Sequence, residues 1–366
     1  MSSIGLCMIV KNESHVIERC LNSVKSLIDF VLIFDTGSSD GTQDIIKNWI
    51  DRNNIPGKVI QSNWVNFAFN RTEALNKLNE YPVDYGLMID ADEILVFDDN
   101  FDYVKFKESL IFDYYMIQTR SGSNYYRPQL AKNKSGFRYE GVVHEFLVID
   151  ESRSFDYVHG FYNLPIQDSN RNRSGSKFNK DIEVLEKALL DNISEYMRSR
   201  YTFYLAQSYR DIGNFEMAIK NYSSRSKMGF WGEEVFISLY NIANLKRISG
   251  HDQNEVIGLY LDSFEHSPHR LEPIHWIIQL LRISGKNNRG YIYGKYAIDN
   301  LKFPENSLFV ESWIYDYGIL DEFSICAFYS GRKDESIWAC NRLLSEGKIP
   351  DHYVDRIKNN LAFCNG

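Results

Sequence analysis

Two apolar runs early in this chain stop abruptly on carboxylates, and that pattern narrows the fold more than any other feature. Phe30-Val31-Leu32-Ile33-Phe34 runs into Asp35, and Gly86-Leu87-Met88-Ile89 runs into Asp90-Ala91-Asp92-Glu93. Unbroken apolar runs of strand length belong to strands covered on both faces, as in parallel sheets. An earlier run, Ile4 to Val10, breaks at Lys11-Asn12-Glu13, and Val16, Cys20, Leu21, Val24 and Leu27 follow at helical spacing. Strand, helix, strand, helix, strand with short connections implies right-handed βαβ units and a parallel sheet. Open sheets of this kind bind ligands at the carboxyl edge of the strands, where the terminal acids would gather.

On an extended chain Asp90 and Asp92 project to the same side. Their hard oxygens suit Mg²⁺ or Mn²⁺, which complete their shells with water and diphosphate oxygens. An Asp-x-Asp triplet is also common in solvated loops, so the pair needs its context. The turn Asp35-Thr36-Gly37-Ser38-Ser39-Asp40-Gly41-Thr42 has glycines suited to a tight entry into a helix, whose free N–H groups could face an anion. Ordinary turn chemistry explains the same residues.

Taken in order, Cys7-Met8-Ile9-Val10-Lys11-Asn12-Glu13, the Asp35–Thr42 turn, Trp64 with Asn66-Phe67 and Arg71, and Asp90-Ala91-Asp92-Glu93 resemble family 2 glycosyltransferases with the GT-A fold, over about the first half of the chain. The resemblance implies an α/β, doubly wound, mixed but mainly parallel sheet, a nucleotide-sugar donor (a UDP-sugar), a Mn²⁺ or Mg²⁺ ion at the Asp-x-Asp motif, and inversion at the sugar carbon. It makes Asp92 a metal ligand and lets Asp90 reach the metal or the ribose. Asp35 would accept a hydrogen bond from the base N3–H, with Asp40 as a companion in donor binding. Helical spacing around Arg71 puts its guanidinium on a polar side, where a fork of donors fits a diphosphate. Thr72 stands where the family commonly has Asn. Glu93 reads as structural.

Further on, Gly141-Val142-Val143-His144-Glu145 resembles the Gly-x-Val-His-Glu motif of the same subfamily. An inverting transfer needs a base for the acceptor's proton. That role is assigned to Glu145, with His144 as the alternative and a merely packed pair as the structural reading. His159 falls where many GT-A enzymes place a third metal ligand. Arg171, Arg173 and Lys177, in a loop containing Gly175, are candidates to close over the donor diphosphate, against the plainer reading of a solvated linker.

With 366 residues the chain is long enough for two cores. A net charge of −8 argues against a nucleic-acid surface as its main business. No apolar stretch is long enough to span a bilayer, and the first strand makes a poor signal peptide, so a cytoplasmic location is expected. Five cysteines without a Cys-x-x-Cys pair suggest reduced thiols. The polar, basic stretch from Asp168 to Lys180 separates a strand-rich half from a helix-rich one and divides the chain into residues 1–180 and 181–366. In the second part, Gly213, Gly250 and Gly285 are 37 and 35 residues apart, with Gly331 offset by 46. These spacings are near the roughly 34-residue period of tetratricopeptide (TPR) repeats. An all-α helical-repeat domain follows, with Tyr204, Ala206, Tyr209, Ala218 and Tyr222 in its core. Such repeats could hold an acceptor, a protein partner or a second copy of the chain, or simply stabilise the first half. The acceptor could be a glycan, a lipid-linked glycan or a protein. Two other functions compete: an inactive scaffold, and a nucleotidyltransferase. The latter would want a Gly- and Arg/Lys-rich loop after the first strand, which Met8 to Glu13 lacks.

Overall fold

Strands β1 (Ile4–Val10), β2 (Phe30–Asp35), β3 (Gly57–Gln61) and β4 (Tyr85–Leu87) alternate with helices α1 (Ile17–Val24), α2 (Thr42–Asn53) and α3 (Phe67–Leu78) in the computed structural model, which describes residues 1–121, 123–173, 177–305 and 307–365. Gly175 lies outside the described residues. The four strands pair in parallel in the order β3-β2-β1-β4. Their unbroken apolar runs are explained by cover on both faces. Leu6, Met8, Val31 and Ile33 pack with Ile17, Cys20, Leu21 and Val24 of α1 and with Trp49 of α2. Cys7, Leu32 and Phe34 pack on the other side with Ala74, Leu75 and Leu78 of α3.

Beyond β4 the sheet becomes mixed. The elements are β5 (Glu93–Phe97), α4 (Tyr103–Ser109), β6 (Tyr114–Ser121), β7 (Ser123–Lys132), β8 (Arg138–Glu140), β9 (Phe146–Val148), β10 (Phe155–Tyr157), β11 (Phe161–Pro165), α5 (Asn170–Arg173) and α6 (Lys177–Leu190). The antiparallel β7 joins β4, and the order continues β7-β6-β11-β5, with β10 beside β6. β8 and β9 form a separate hairpin. The Tyr139 N–H of β8 donates to Thr72 Oγ1 of α3 at 2.9 Å, so Thr72 serves to anchor this hairpin.

The chain divides into two compact units at Asn192/Ile193, so all of α6 belongs with the first unit and the division falls beyond residue 180. The second unit is built of helical hairpins: α7 (Glu195–Asp211) with α8 (Phe215–Arg225), α9 (Gly232–Ile248) with α10 (Gln253–His266), α11 (Glu272–Ile283) with α12 (Asn287–Asp299), and α13 (Ile319–Tyr329) with α14 (Lys333–Glu346), then α15 (Asp351–Asn365). A π-helical turn, Ile314–Gly318, leads into α13, and the long connection between Asp299 and Ile314, against the short one between His266 and Glu272, lengthens the last spacing between glycines. The four glycines at the hairpin turns have φ between +71° and +79°, the left-handed conformation that ends a helix and favours Gly. Ala206, Tyr209, Ala218 and Tyr222 are buried as expected. Tyr204 is only half-buried beneath Arg200, because the neighbouring Phe203 takes the inward position. No described helix is long and apolar enough to cross a membrane. All five cysteines are buried and unbridged.

Candidate active site

The carboxyl edge of β2 delivers Asp35 into a fully buried position. Its Oδ1 accepts from Gly37 N–H at 3.0 Å, Ser38 N–H at 2.8 Å and Gln43 Nε2 at 3.0 Å. Its Oδ2 is buried and has no protein partner. Buried acceptors are rarely left unmatched, because desolvation is not then repaid by a hydrogen bond. Asp40 is different. It accepts from Thr42 N–H at 3.1 Å and Thr42 Oγ1 at 2.5 Å, and from Ser14 N–H at 3.0 Å. Partial burial works against its charge, but these bonds hold the carboxyl down at about 2. Asp40 thereby ties the loop after β1 to the start of α2.

The Asp-x-Asp segment is a turn rather than extended strand. β4 ends at Leu87, and Glu93 N–H donates to the Asp90 carbonyl at 3.0 Å, closing the turn Asp90–Glu93. Strand alternation therefore does not set where Asp90 and Asp92 point. The turn is held from below by Glu93, which is 4% exposed. Glu93 accepts from Asp90 N–H at 3.0 Å, from Asn163 Nδ2 at 2.9 Å and from Gln129 Nε2 at 3.4 Å, and forms an ion pair with Arg127. Burial pushes its pKa above the usual carboxylate range, against the pull of Arg127. The structural reading of Glu93 thus has a specific content: it clamps the backbone of Asp90 to β7 and β11.

Asp90 and Glu145 converge on one guanidinium. Arg71 donates Nη2 to Asp90 Oδ1 at 2.5 Å and Nε to Glu145 Oε1 at 2.7 Å. Its side chain is 13% exposed, so it points into the site rather than to an outer polar face. Burial costs the Asp90 carboxylate, yet Arg71, Arg127 and Arg171 together hold its pKa below the ordinary value. The Tyr139 ring lies 5.7 Å from the Arg71 guanidinium. The neighbouring His144 is exposed and has φ +51°, a left-handed conformation uncommon outside glycine.

Asp92 faces the segment after β11. Its Oδ2 accepts from Ser169 N–H at 3.2 Å and Asn172 Nδ2 at 3.5 Å. Lys177 Nζ reaches Asn172 Oδ1 at 3.2 Å, so it meets Asp92 through that amide. Arg171 pairs with Asp181 and covers the Phe67 ring at 4.6 Å. Arg19 grips Asp168, and Asn170 N–H donates to the buried Glu13 Oε2 at 3.3 Å. Burial, aided by the charges of Asp92, Asp40 and Asp90, pushes Glu13 up to about 7, although the Asn170 bond opposes the shift.

The expected third metal ligand is not at this site. His159 precedes β11, whose antiparallel ladder with β5 pairs Pro165 with Glu93 and Phe161 with Phe97. His159 therefore lies off the far end of that ladder, several residues of strand away from Asp92, at about 3.3 Å per residue. No group of three or more acidic, His or Cys side chains able to hold a metal occurs among the described residues. Two carboxylates fit a small cation that takes its remaining ligands from water and phosphate, as Mg²⁺ commonly does.

Glu13 and the partners of Glu93 escaped sequence reading. Glu13 stood inside the Cys7–Glu13 motif with no role of its own, and Arg127, Gln129 and Asn163 arrive from strands distant in sequence with no local motif to mark them.

Residues 6–116 match Glycosyl transferase family 2. The N-terminal unit carries a glycosyltransferase family 2 domain. An uncharacterized glycosyltransferase of Rickettsia typhi is 24% identical over 251 residues, covering 64% of this chain and 77% of that protein. A TPR repeat-containing protein of Synechococcus elongatus is 29% identical over 158 residues, covering 42% of this chain but only 36% of its own length. Among solved structures, a tetratricopeptide repeat protein from Parabacteroides merdae is similar at 18% identity, covering 53% of this chain and 69% of that one with a TM-score of 0.39. MamA is similar at 11% identity, covering 48% and 92%, with a TM-score of 0.37. The matched span contains Asp35, Asp40, Arg71, Asp90 and Asp92, while Glu145 lies beyond it.

Proposed function

We propose that this chain transfers a sugar from a UDP-sugar to an acceptor hydroxyl, with inversion at the anomeric carbon. The observation that carries the nucleotide assignment is the unmatched, buried Oδ2 of Asp35 at the carboxyl edge of β2. An acceptor fixed there suits the N3–H of uracil and has no counterpart donor at N3 of cytosine. Asp90 and Asp92 would hold a divalent cation, Mn²⁺ or Mg²⁺, which supplies charge stabilisation to the departing diphosphate. The match of residues 6–116 to family 2 supports glycosyl transfer.

The acceptor oxygen attacks the anomeric carbon as the bond from that carbon to the diphosphate oxygen breaks, and the acceptor's proton passes to Glu145. Arg71 orients Glu145 by a 2.7 Å bond, while His144 is the alternative base. Asp92 engages the segment after β11 through Ser169 and Asn172, so donor binding would compete with or rearrange those contacts.

Calorimetric titration of the full chain with UDP and CDP, each with and without Mn²⁺, tests the reading. UDP should bind more tightly than CDP and only with the metal, Asp35→Ala should erase the preference, and Asp92→Ala should erase the metal requirement along with most of the affinity. Equal affinity for the two nucleotides, or full affinity in Asp92→Ala, would refute it.

A further inference from the structure

The loop before α3 and the first turn of that helix present apolar side chains to water. Trp64, Val65 and Phe69 are 44%, 54% and 51% exposed. Trp64 packs edge-on against Phe67, with ring centroids 4.8 Å apart, and the Arg171 guanidinium lies over Phe67. That contact brings α5 and its basic surroundings against the apolar patch. Arg173 and Lys180 are exposed, and so is Phe178 beside Lys177. Between residues 168 and 181 the sequence has four cations and two carboxylates, in a chain of net charge −8. Both carboxylates are paired, Asp168 with Arg19 and Asp181 with Arg171, which leaves Arg173, Lys177 and Lys180 as the cations of the patch.

We propose that this surface docks the protein on an anionic lipid membrane. Trp and Phe set among Lys and Arg are the combination that settles at a bilayer interface, with rings at the headgroup level and cations on lipid phosphates. Trp64, Val65 and Phe69 project from a loop and a helix turn, and a fluid headgroup layer accepts such projections without a matching groove. Charge favours this orientation, since an anionic bilayer repels a net-acidic protein on the whole and attracts a basic patch. Phe67, against which Trp64 packs, lies under Arg171, and the neighbouring Ser169 and Asn172 bond Asp92, so docking would bring the candidate active site close to the lipid surface. Delivery of a lipid-borne acceptor there rests on the glycosyl-transfer reading; the docking itself does not.

The test is sedimentation of the full chain with vesicles of phosphatidylcholine alone and of phosphatidylcholine mixed with phosphatidylglycerol, at low and at physiological salt. Binding is expected to the anionic vesicles and to weaken with salt. Replacing both Trp64→Ser and Phe69→Ser should lower the partition at least about tenfold. Replacing both Arg173→Glu and Lys180→Glu should abolish the preference for phosphatidylglycerol. All four side chains are exposed, and unchanged melting of each variant would show that the fold is intact. Absent or equal binding to the two vesicle types would overturn the proposal, as would variants that bind like the parent. Displacement by soluble polyglutamate, with the Trp64/Phe69 variant unaffected, would overturn it in favour of an acidic protein partner. Nucleotide affinity is measured separately, so failure of docking is distinguishable from failure of the transferase reading.

Discussion

Replacing Arg71→Met should destabilise the N-terminal unit selectively, by an amount that the geometry of its two ion pairs sets. Arg71 is 13% exposed and Glu145 12%, whereas the Asp90 side chain is 39% exposed. Removing one partner of a buried pair costs about 3–5 kcal/mol, because the other charge is stranded. Here water can solvate Asp90 once it is released, so the main loss comes from Glu145, and about 2–3 kcal/mol is expected. For a unit the size of Met1–Asn192, a shift of about 2–4 °C per kcal/mol gives a fall in melting temperature of roughly 5–10 °C. Scanning calorimetry of the full chain should show that fall in one transition and leave the transition of the helical unit in place. A second variant, Arg71→Met with Glu145→Leu, should recover part of the loss, because no buried carboxylate is then abandoned. The pH dependence has a definite sign. Arg71 and its neighbouring arginines hold Asp90 below its usual value against the cost of burial, so this contribution is present above about pH 4 and lost as pH falls through the lower folded-state value. The gap between parent and variant should therefore narrow in acid. An unchanged melting temperature, or no recovery in the double variant, would refute the role given to Arg71.

Two other perturbations follow from the same geometry. His159→Ala should leave Mn²⁺-dependent nucleotide affinity within about twofold of the parent, because the β5–β11 ladder places His159 away from Asp92; a large loss by calorimetry would mean that the side chain reaches the metal after all. Glu13 titrates near 7 in the folded unit, so with metal removed by chelator its contribution is fully present below about pH 4 and fades as pH rises through 7, by up to about 3 kcal/mol. Chemical denaturation of Glu13→Gln across that range should show a flatter pH profile than the parent, and identical slopes would count against the shift.

What was legible in the sequence was whatever depends on near neighbours in the chain. Unbroken apolar runs announced β1, β2 and the approach to Asp90, since a strand covered on both faces has no polar side to display. Glycines at hairpin turns announced four helix pairs, since only a left-handed residue closes such turns cheaply. Asp35 could be placed at a strand end for the same reason. Tertiary structure alone decided how these parts meet. It turned Asp90–Glu93 into a closed turn, aimed Arg71 inward at both Asp90 and Glu145, supplied Arg127, Gln129 and Asn163 to hold Glu93, and carried His159 to the wrong end of a ladder. Those outcomes depend on strand register and on which distant charges burial forces together. Neither is written in local residue spacing, because burial and pairing energies belong to the folded sheet as a whole.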